Sequence, residues 1–296
     1  MKILVLGSNG QLGKCLHDQL LKTDHHVIFT SRDQIDISLF EETKTKIIEL
    51  SPDIIINTAA YTAVDRAEEN QCEADLINHL AVSNISEISN IINCWLIHIS
   101  TDYVFDGKTN VPYLEDDLTN PQNIYGLSKL DGEKAIKSSG CKHIILRTSW
   151  VYSEYGNNFL KTMLDLGNIK NELRVVVDQI GYPTYAQDIA RAILNVIDNL
   201  KSHENISGIY HFASELSCSW ASFSSYIFAE AKKLNRIKNK PKITEVSSKE
   251  FVTLAKRPEY SLLNSTKLRN IFGIKPSDLF LGIKSSIVAI ENTKQK

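Results

Sequence analysis

The feature that most constrains the fold is a series of short, uninterrupted apolar runs that alternate with helical segments over the first 150 residues. Runs such as Ile3–Leu6 and Ile54–Ile56 lack the in–out alternation of a half-exposed strand. Such runs are typical of parallel strands covered on both faces. The pattern therefore predicts an α/β fold with a Rossmann-type, doubly wound parallel sheet. The predicted strands are Lys2–Leu6, His26–Thr30, Ile54–Asn57, Trp95–Ser100 and His143–Arg147.

The second half of the chain is expected to complete this sheet and to add a smaller lobe, because 296 residues exceed the length of most single cores. Two more strands are predicted at Arg174–Asp178 and Gly208–Phe212, with a helix over Tyr185–Leu200 between them. The predicted units are a dinucleotide-binding domain (1–151, completed by about 172–212) and a C-terminal substrate-binding lobe (152–171 and 213–296).

Charge and composition exclude several classes of protein. The 33 basic residues against 35 acidic ones leave a formal charge of −2 and no basic stripe, so a nucleic acid polymer is not an expected partner. The five cysteines are scattered, with no spacing typical of a metal site, and no metal is predicted from them. No apolar run approaches the roughly 20 residues that span a bilayer. We therefore expect no membrane association and a cytoplasmic location.

A glycine-rich turn directly follows the first strand. Gly7, Gly10 and Gly13 form a G-x-x-G-x-x-G pattern that also contains Gln11 and Leu12 and opens a helix. The first glycine permits a tight turn, the second lets the backbone approach a pyrophosphate, and the third allows close packing of helix on strand. The helix N-terminus adds N–H donors and partial positive charge. The turn predicts a dinucleotide site, although a glycine-rich turn without a ligand remains the alternative.

The residues after the second strand bear on the choice of cofactor. Ser31 and Arg32 stand where an NAD-binding protein usually places an acidic residue for the ribose 2′-hydroxyl. A guanidinium can pair with a 2′-phosphate through two hydrogen bonds, which favours NADPH. Asp33 and Asp36 follow closely, so NADH use stays open, and Arg32 as a solvated surface charge is the alternative.

Tyr125 and Lys129 are four residues apart at the start of a predicted helix, so their side chains share one face. A free phenol has a pKa near 10, and a neighbouring ammonium is expected to lower it. Thr101 ends the fourth strand, at the edge of the sheet where substrates bind in open α/β folds. Its hydroxyl can hold a carbonyl oxygen. The three residues predict proton delivery to a carbonyl that a hydride attacks, with an exposed helix pair as the alternative.

With these residues in place, the chain resembles the extended short-chain dehydrogenases, and within them the branch that reduces the 4-keto group of dTDP-4-dehydro-L-rhamnose. The likeness runs nearly from end to end. The further matching blocks are Asn57–Asp65, Ser100–Gly107, Arg147–Tyr152, Asn157–Phe159, Asp178–Thr184 and Arg257–Pro258. Glu259–Leu263 departs from the pattern of this branch, which leaves the exact nucleotide and sugar open.

The resemblance implies roles for particular residues. It assigns Gly10, Gln11 and Leu12 to the pyrophosphate, Asp36 and Ile37 to the adenine end, Ala60, Tyr61 and Thr62 to the ribose side, and Lys129 to the nicotinamide. It assigns Thr101, Asp102, Trp150, Asn158 and Arg257 to a dTDP-sugar, and Tyr125 to proton donation. Core packing is the alternative for Trp150, and an exposed position for Arg257. A homodimer and a use of Mg²⁺ are implied only by the resemblance.

Three other functions are weighed against reduction. Related dehydratases carry a glutamate where Tyr103 stands, and without it a base for removing the C5 proton is missing. Sugar 4-epimerases usually have a different strand end from Ser100–Tyr103. A cofactor-binding regulatory subunit would not need turnover, but the catalytic residues Thr101, Tyr125 and Lys129 are all present. Reduction of a nucleotide 4-keto sugar is therefore the expected reaction.

Overall fold

The computed structural model describes residues 1–200 and 206–294. Residues 201–205, within the predicted segment 172–212, and residues 295–296, at the end of the predicted lobe, lie outside the described residues. The strands are β1 (Lys2–Leu6), β2 (His26–Thr30), β3 (Ile54–Asn57), β4 (Trp95–Thr101), β5 (Lys142–Thr148), β6 (Val151–Tyr152), β7 (Glu172–Val176), β8 (Ile180–Gly181), β9 (Thr184–Tyr185), β10 (Gly208–His211), β11 (Cys218–Ser219) and β12 (Lys242–Val246).

Helices connect these strands. They are α1 (Gln11–Leu20), α2 (Phe40–Leu50), α3 (Val64–Glu69), α4 (Gln71–Asp75), α5 (Ala81–Ile91), α6 (Ile124–Ser139), α7 (Phe159–Ile169), α8 (Ala186–Asn199), α9 (Trp220–Lys233), α10 (Thr266–Phe272) and α11 (Leu279–Lys294). A π-helical turn at Leu76–Leu80 links α4 to α5, and a 3₁₀ turn at Asp102–Val104 follows β4.

A six-stranded parallel sheet forms the centre of the molecule, in the order β10-β5-β4-β3-β1-β2. Alternate residues of its strands enter two different cores: Ile3 and Val5 pack on one face, and Leu4 and Leu6 on the other. Burial on both faces explains why the apolar runs are uninterrupted. The predicted α/β fold with a doubly wound parallel sheet is confirmed.

The two later strands have different partners. β10 pairs with β5 and extends the large sheet, as predicted, and α8 matches the helix expected over Tyr185–Leu200. The prediction that Arg174–Asp178 would join the same sheet is wrong, because β7 pairs in parallel with β12. Only Val175 and Val176 are buried in β7, so its composition identified a strand but not its neighbour.

A second core lies between α7, α9 and α11. It is rich in aromatic side chains, including Tyr152, Phe223 and Phe228. Helix α10 does not join this core, because Leu268 and Phe272 pack with the large sheet next to β10. The predicted domain boundaries stay a prediction, since the chain passes between the two cores several times.

Candidate active site

The glycine-rich turn lies between the end of β1 and the start of α1. Gly7 has a φ of 78°, and a Cβ there would lie 2.7 Å from the Ala59 nitrogen. A Cβ at Gly13 would lie 2.5 Å from the Gly7 oxygen, so both positions require glycine for folding. Gly10 has an ordinary φ of −69°, and a Cβ there would meet only the Gly7 oxygen, at 3.2 Å. The middle glycine therefore leaves the front of the turn open.

The start of α1 fits an anionic ligand. Gly10 is the N-cap residue, and no side chain caps the helix. The first N–H groups of α1 therefore face the open front of the turn with their partial positive charge. A pyrophosphate fits this cradle, which supports the predicted roles of Gln11 and Leu12.

The residues after β2 form a hydrogen-bonded cluster at the same sheet edge. Arg32 Nε donates to Asp36 Oδ2 at 3.0 Å, while Asp36 Oδ1 accepts from Ser38. Burial opposes ionisation, but the bonds from Ser38 and Arg32 hold the pKa of Asp36 below its usual value. The Arg32 side chain is 70% exposed, so its guanidinium can reach a ligand. The nearby Ile37 is buried.

Asn78 holds the segment Ala60–Thr62 in place and was missed from the sequence. Its Oδ1 accepts from the Tyr61 N–H at 2.9 Å, and its Nδ2 donates to the Tyr61 oxygen and to Ser128 Oγ. Asn78 lies in the π-helical turn, a rare geometry that is frequent at functional sites. It thus ties the predicted ribose-binding segment to α6, and no sequence motif announces it.

Tyr125 is positioned by the first turn of α6. Asn123 caps the helix, since its Oδ1 accepts from the Gly126 N–H at 2.7 Å. A Cβ at Gly126 would lie 2.2 Å from the Tyr103 oxygen, so the helix packs directly on the turn after β4. The ring of Tyr125 meets the ring of Tyr103 edge to face, with centroids 5.8 Å apart. The helix start therefore places the phenol beside Thr101, the last residue of β4.

The phenol of Tyr125 is a protonated acid at neutral pH. Burial of the hydroxyl raises its pKa to about 12, and a hydrogen bond with Thr101 opposes this shift. Lys129 is not among the groups that shift this pKa, since its amine bonds to β4, and its effect on Tyr125 stays a prediction. Its Nζ donates to the Ile99 oxygen at 2.7 Å and lies 3.1 Å from His98 Nε2. Burial lowers the pKa of Lys129 to about 8.

Asp102 is buried beside Thr101, and one of its oxygens has no partner. Thr101 Oγ1 donates to Asp102 Oδ1 at 3.1 Å, while Asp102 Oδ2 is without a hydrogen bond among the described residues. Burial raises the pKa of Asp102 to about 7, against hydrogen bonds from Ser261 and Thr101. A buried, unpaired carboxylate oxygen is costly, so the position fits a ligand hydroxyl.

Arg257 links the second wall of the cleft to the sheet. Its guanidinium makes two bonds to Asp65, at 3.0 and 2.7 Å. It also contacts the Tyr103 hydroxyl, which places it one ring away from Tyr125. Asn123 Nδ2 donates to the Lys256 oxygen at 2.8 Å, so the loop that carries Arg257 is tied to the start of α6.

A cavity of about 690 Å³ adjoins Arg257. Gly107, Gln179, Ser248 and Tyr260 contribute to its lining. The cavity lies between the segment after β4 and the loop that follows β12. Its size suits a nucleotide-sized ligand.

The other two predicted substrate residues, Trp150 and Asn158, contact different partners. Trp150 stacks on Trp220 with centroids 3.5 Å apart, and it has a positive φ of 45°. Asn158 caps α7 and donates to Gln11 Oε1 at 2.7 Å, so its amide contacts the glycine-rich turn. The substrate role of Asn158 stays a prediction, and the structure gives it a structural task.

A family model described as the RmlD substrate binding domain matches residues 1–291. The chain belongs to the RmlD substrate-binding domain family. A family member from Sinorhizobium fredii, a dTDP-4-dehydrorhamnose reductase, is 40% identical over 277 residues, which cover 93% of each protein. The predicted resemblance to this branch is thereby confirmed.

Solved structures agree with this family assignment. The dTDP-4-dehydrorhamnose reductase of Clostridium acetobutylicum is 38% identical, with a TM-score of 0.90 over 98% of this chain and 100% of that chain. The Bacillus anthracis enzyme, solved in complex with NADP, is also 38% identical, with a TM-score of 0.90 over 97% of this chain and 99% of that chain.

The described residues form neither a metal cluster nor a membrane-spanning helix. Within residues 1–200 and 206–294, no cluster of three or more His, Cys, Asp or Glu could hold a metal ion. No helix in this described part of the chain is long and apolar enough to cross a bilayer. The Mg²⁺ implied by resemblance has no support in the described residues.

Proposed function

We propose that this chain reduces the 4-keto group of dTDP-4-dehydro-L-rhamnose with NADPH and so forms dTDP-L-rhamnose for cell-surface polysaccharide biosynthesis. Relatives of 38–40% identity along nearly the whole chain are named for this reaction, and one was solved with NADP. The reaction class suits the residues at the edge of the sheet, which supply a proton donor and hydrogen-bond donors beside a cleft.

The observation that carries the proposal is the protonated phenol of Tyr125 beside the Thr101 hydroxyl. Reduction adds a hydride to the keto carbon and a proton to its oxygen. A group that is to donate a proton must hold it before the reaction, and Tyr125, whose pKa burial raises to about 12, is protonated at neutral pH. An ordinary phenol is also protonated at neutral pH, so the position of the Tyr125 hydroxyl beside Thr101, and not the size of the pKa shift, carries the proposal.

When bound, the reduced nicotinamide supplies the hydride. Tyr125 gives its proton to the keto oxygen as the carbonyl π electrons move onto that oxygen. The Thr101 hydroxyl, which donates to Asp102 Oδ1 in the structure, turns to donate its hydrogen bond to the same oxygen and stabilises the developing charge. Asp102 Oδ2 accepts from a sugar hydroxyl. Lys129 fixes the cofactor ribose and returns a proton to the phenolate that Tyr125 leaves.

The cofactor site is assigned to the open front of the glycine-rich turn. Gly10, Gln11 and Leu12 hold the pyrophosphate, and the exposed Arg32 guanidinium pairs with a 2′-phosphate. This pairing favours NADPH over NADH. On the second wall, Arg257 binds the substrate diphosphate, and Trp150 lies against the sugar nucleotide.

The experiment that tests this proposal mixes the purified chain with NADPH and freshly prepared dTDP-4-dehydro-L-rhamnose. We expect loss of the reduced nicotinamide absorbance together with formation of dTDP-L-rhamnose, identified by NMR. A parallel reaction with NADH measures the cofactor preference. Cofactor binding without oxidation would favour a regulatory subunit, and a 4-epimer without net oxidation of NADPH would favour an epimerase.

The location and the assembly state belong to the same proposal. A cytoplasmic location suits an enzyme that uses NADPH and a nucleotide sugar. A homodimer is tested by light scattering of the purified chain, and a monomer over the whole concentration range would contradict it. The effect of a chelator on turnover tests the use of Mg²⁺.

A further inference from the structure

The amine of Lys129 rests on strand β4, beside a histidine that the proposed reaction does not use. Its Nζ donates to the Ile99 oxygen at 2.7 Å and lies 3.1 Å from His98 Nε2. The other ring nitrogen, His98 Nδ1, lies 3.2 Å from Asn57 Nδ2 on the neighbouring strand β3. Asn57 and His98 are direct partners in the parallel pairing of the two strands. Asn57, His98 and Lys129 are all at most 2% exposed, so water does not compete for these bonds.

The direction of these hydrogen bonds is set by the backbone. The Ala59 N–H donates to Asn57 Oδ1 at 3.1 Å. A backbone N–H can only donate, so the oxygen of the Asn57 amide must face it. The amide nitrogen then faces His98 Nδ1 and donates to it. Since Nδ1 is the acceptor, a neutral imidazole carries its proton on Nε2.

This tautomer of His98 decides which hydrogen bond Lys129 can make, because the Nε2–H points at the Lys129 amine. An uncharged amine has a lone pair that can accept this hydrogen bond, and it keeps an N–H for the Ile99 oxygen. An ammonium has three N–H donors and no acceptor. In the charged form, two donors would face each other at 3.1 Å in a site closed to water.

We propose that His98, oriented by Asn57, is a positioning residue for Lys129 that presents an N–H to the amine and favours its uncharged form. The catalytic use of this contact rests on the proposed function, whereas the hydrogen bonds among Asn57, His98 and Lys129 do not. An ammonium that gives up its proton readily is the better donor to the phenolate left at Tyr125. The proton moves from Lys129 Nζ to the phenolate oxygen, and the resulting amine accepts the His98 N–H.

The surroundings of Lys129 shift the pKa of its amine in opposite directions. Burial lowers its pKa, and Glu133, one turn further along α6, raises it. Glu133 is itself paired with the Arg147 guanidinium, which reduces the upward effect of its carboxylate on the pKa of Lys129. Tyr125, one turn earlier on α6, is neutral at pH 7. From β4, His98 stays uncharged, because burial and then Lys129 lower its pKa well below the usual value. The His98 N–H thus adds to burial and opposes Glu133.

The first test reads the tautomer of His98 directly. The full-length chain, labelled with ¹⁵N-histidine and saturated with NADP⁺, is examined by long-range ¹⁵N NMR near neutral pH. The His98 signal is assigned by its loss in His98→Phe or, should that variant not fold, in His98→Gln. We expect a neutral ring with the proton on Nε2. A proton on Nδ1, or an imidazolium, would overturn the proposal. No turnover is needed, so this result is independent of the proposed function.

The second test uses the pH dependence of kcat, whose alkaline limb reports Lys129 in the enzyme–substrate complex. His98→Phe removes the N–H that favours the uncharged amine, and we expect this limb to move up by about one pH unit. A downward move would mean that His98 accepts a hydrogen bond from the ammonium, which contradicts the proposal. An unmoved limb would contradict it as well.

His211 supplies the matched control for this shift. It is also fully buried, and it contacts Arg147 Nη1 and the Tyr113 oxygen rather than Lys129. His211→Phe removes an equally buried imidazole, so we expect a comparable loss of stability. We expect its alkaline limb to stay much closer to the wild type than that of His98→Phe, because His211 reaches Lys129 only through Arg147 and Glu133. Equal shifts in the two variants would assign the effect to general loosening of the fold and would overturn the role of His98.

Discussion

The two walls of the cleft differ in how they hold their side chains. On the sheet wall, Thr101 and Lys129 are almost fully buried, and they belong to a seven-residue strand and a 16-residue helix. On the opposite wall, the strands β8 and β11 have two residues each. The loop after β12 there leaves Val252 85% and Leu254 65% exposed. The sheet wall is therefore held rigidly by long, buried elements, whereas the opposite, loop wall is held by few backbone hydrogen bonds.

This difference matches the two tasks of a reductase. Proton transfer requires donor and acceptor atoms to lie within about 0.5 Å of a productive geometry, which long elements and buried hydrogen bonds can maintain. Recognition of a substrate tolerates more variation and is commonly carried by loops on a rigid scaffold. We therefore expect changes on the sheet wall to alter kcat, and changes on the loop wall to alter KM.

The largest effect is expected for Tyr125→Phe. The variant removes one hydroxyl and keeps the ring contact with Tyr103, so the transferable proton is lost while the cleft keeps its shape. We expect kcat to fall by about 10²–10⁴-fold. NADPH affinity, measured by fluorescence titration, should be unchanged. Tyr226→Phe is the control, since this ring lies at the edge of the second core and packs against the exposed Phe280. Near-normal turnover of Tyr125→Phe would refute its role.

The glycine-rich turn allows the same substitution to test folding and binding separately. Gly13→Ala places a Cβ 2.5 Å from the Gly7 oxygen and should lower the free energy of unfolding by about 1–3 kcal/mol. Gly10→Ala places its Cβ 3.2 Å from the Gly7 oxygen, a tight contact that a small shift can relieve, so it should lower that energy much less than Gly13→Ala. Its Cβ instead occupies the open front of the turn, and we expect NADPH affinity to fall by about tenfold or more, or about 1.4 kcal/mol. Urea unfolding and cofactor titration measure the two effects. Tight NADPH binding by Gly10→Ala would mean that the cofactor does not approach this turn.

The sheet wall could be predicted well from the sequence, because the patterns that indicate it lie within short stretches of chain. Buried parallel strands give uninterrupted apolar runs, and the glycine turn has a fixed spacing directly after the first of them. Tyr125 and Lys129 lie on one helix face, so their spacing alone indicates a shared site. Fold and motif are encoded within short stretches on this side of the cleft.

The rest could not be predicted, because its signals are contacts between distant residues. β7 lies 66 residues from the start of its partner β12, and nothing in either segment identifies the pairing. Asn78 and His98 act through neighbours from other elements, so they look like ordinary helix and strand residues in the sequence. The upward shift of the Tyr125 pKa could not be predicted for a related reason, since its first cause, burial, is a property of the folded cleft.

On the loop wall, Arg257→Lys should act on substrate binding. A lysine keeps the charge but cannot make the two parallel bonds that hold Asp65, nor present a planar fork to a diphosphate. We expect KM for the dTDP-sugar to rise by about tenfold, with kcat within about threefold of the wild type. Steady-state kinetics at saturating NADPH measure both values. A large fall in kcat with an unchanged KM would place Arg257 in the chemical step and would remove the contrast between the walls.

The smallest effect is expected for Asp65→Asn, which weakens the link between the walls. The Arg257 guanidinium, against burial, holds the pKa of Asp65 below its ordinary 3.8. A carboxylate with a depressed pKa stabilises the folded state above the unfolded pKa, and this contribution is lost as the pH falls through the folded pKa. Because the Arg257 and Asp65 side chains are 20% and 41% exposed, the stabilisation is at most about 1 kcal/mol.

Urea unfolding at several pH values measures this contribution. The difference in the free energy of unfolding between Asp65→Asn and wild type should stay constant above about pH 5 and shrink below about pH 4. Glu42→Gln, which breaks an exposed helix pair with Lys46, should show no measurable difference. If the two variants behaved alike, the Arg257–Asp65 pair would be no stronger than an ordinary surface contact, and the loop wall would be held by the tie between Asn123 and the Lys256 oxygen instead.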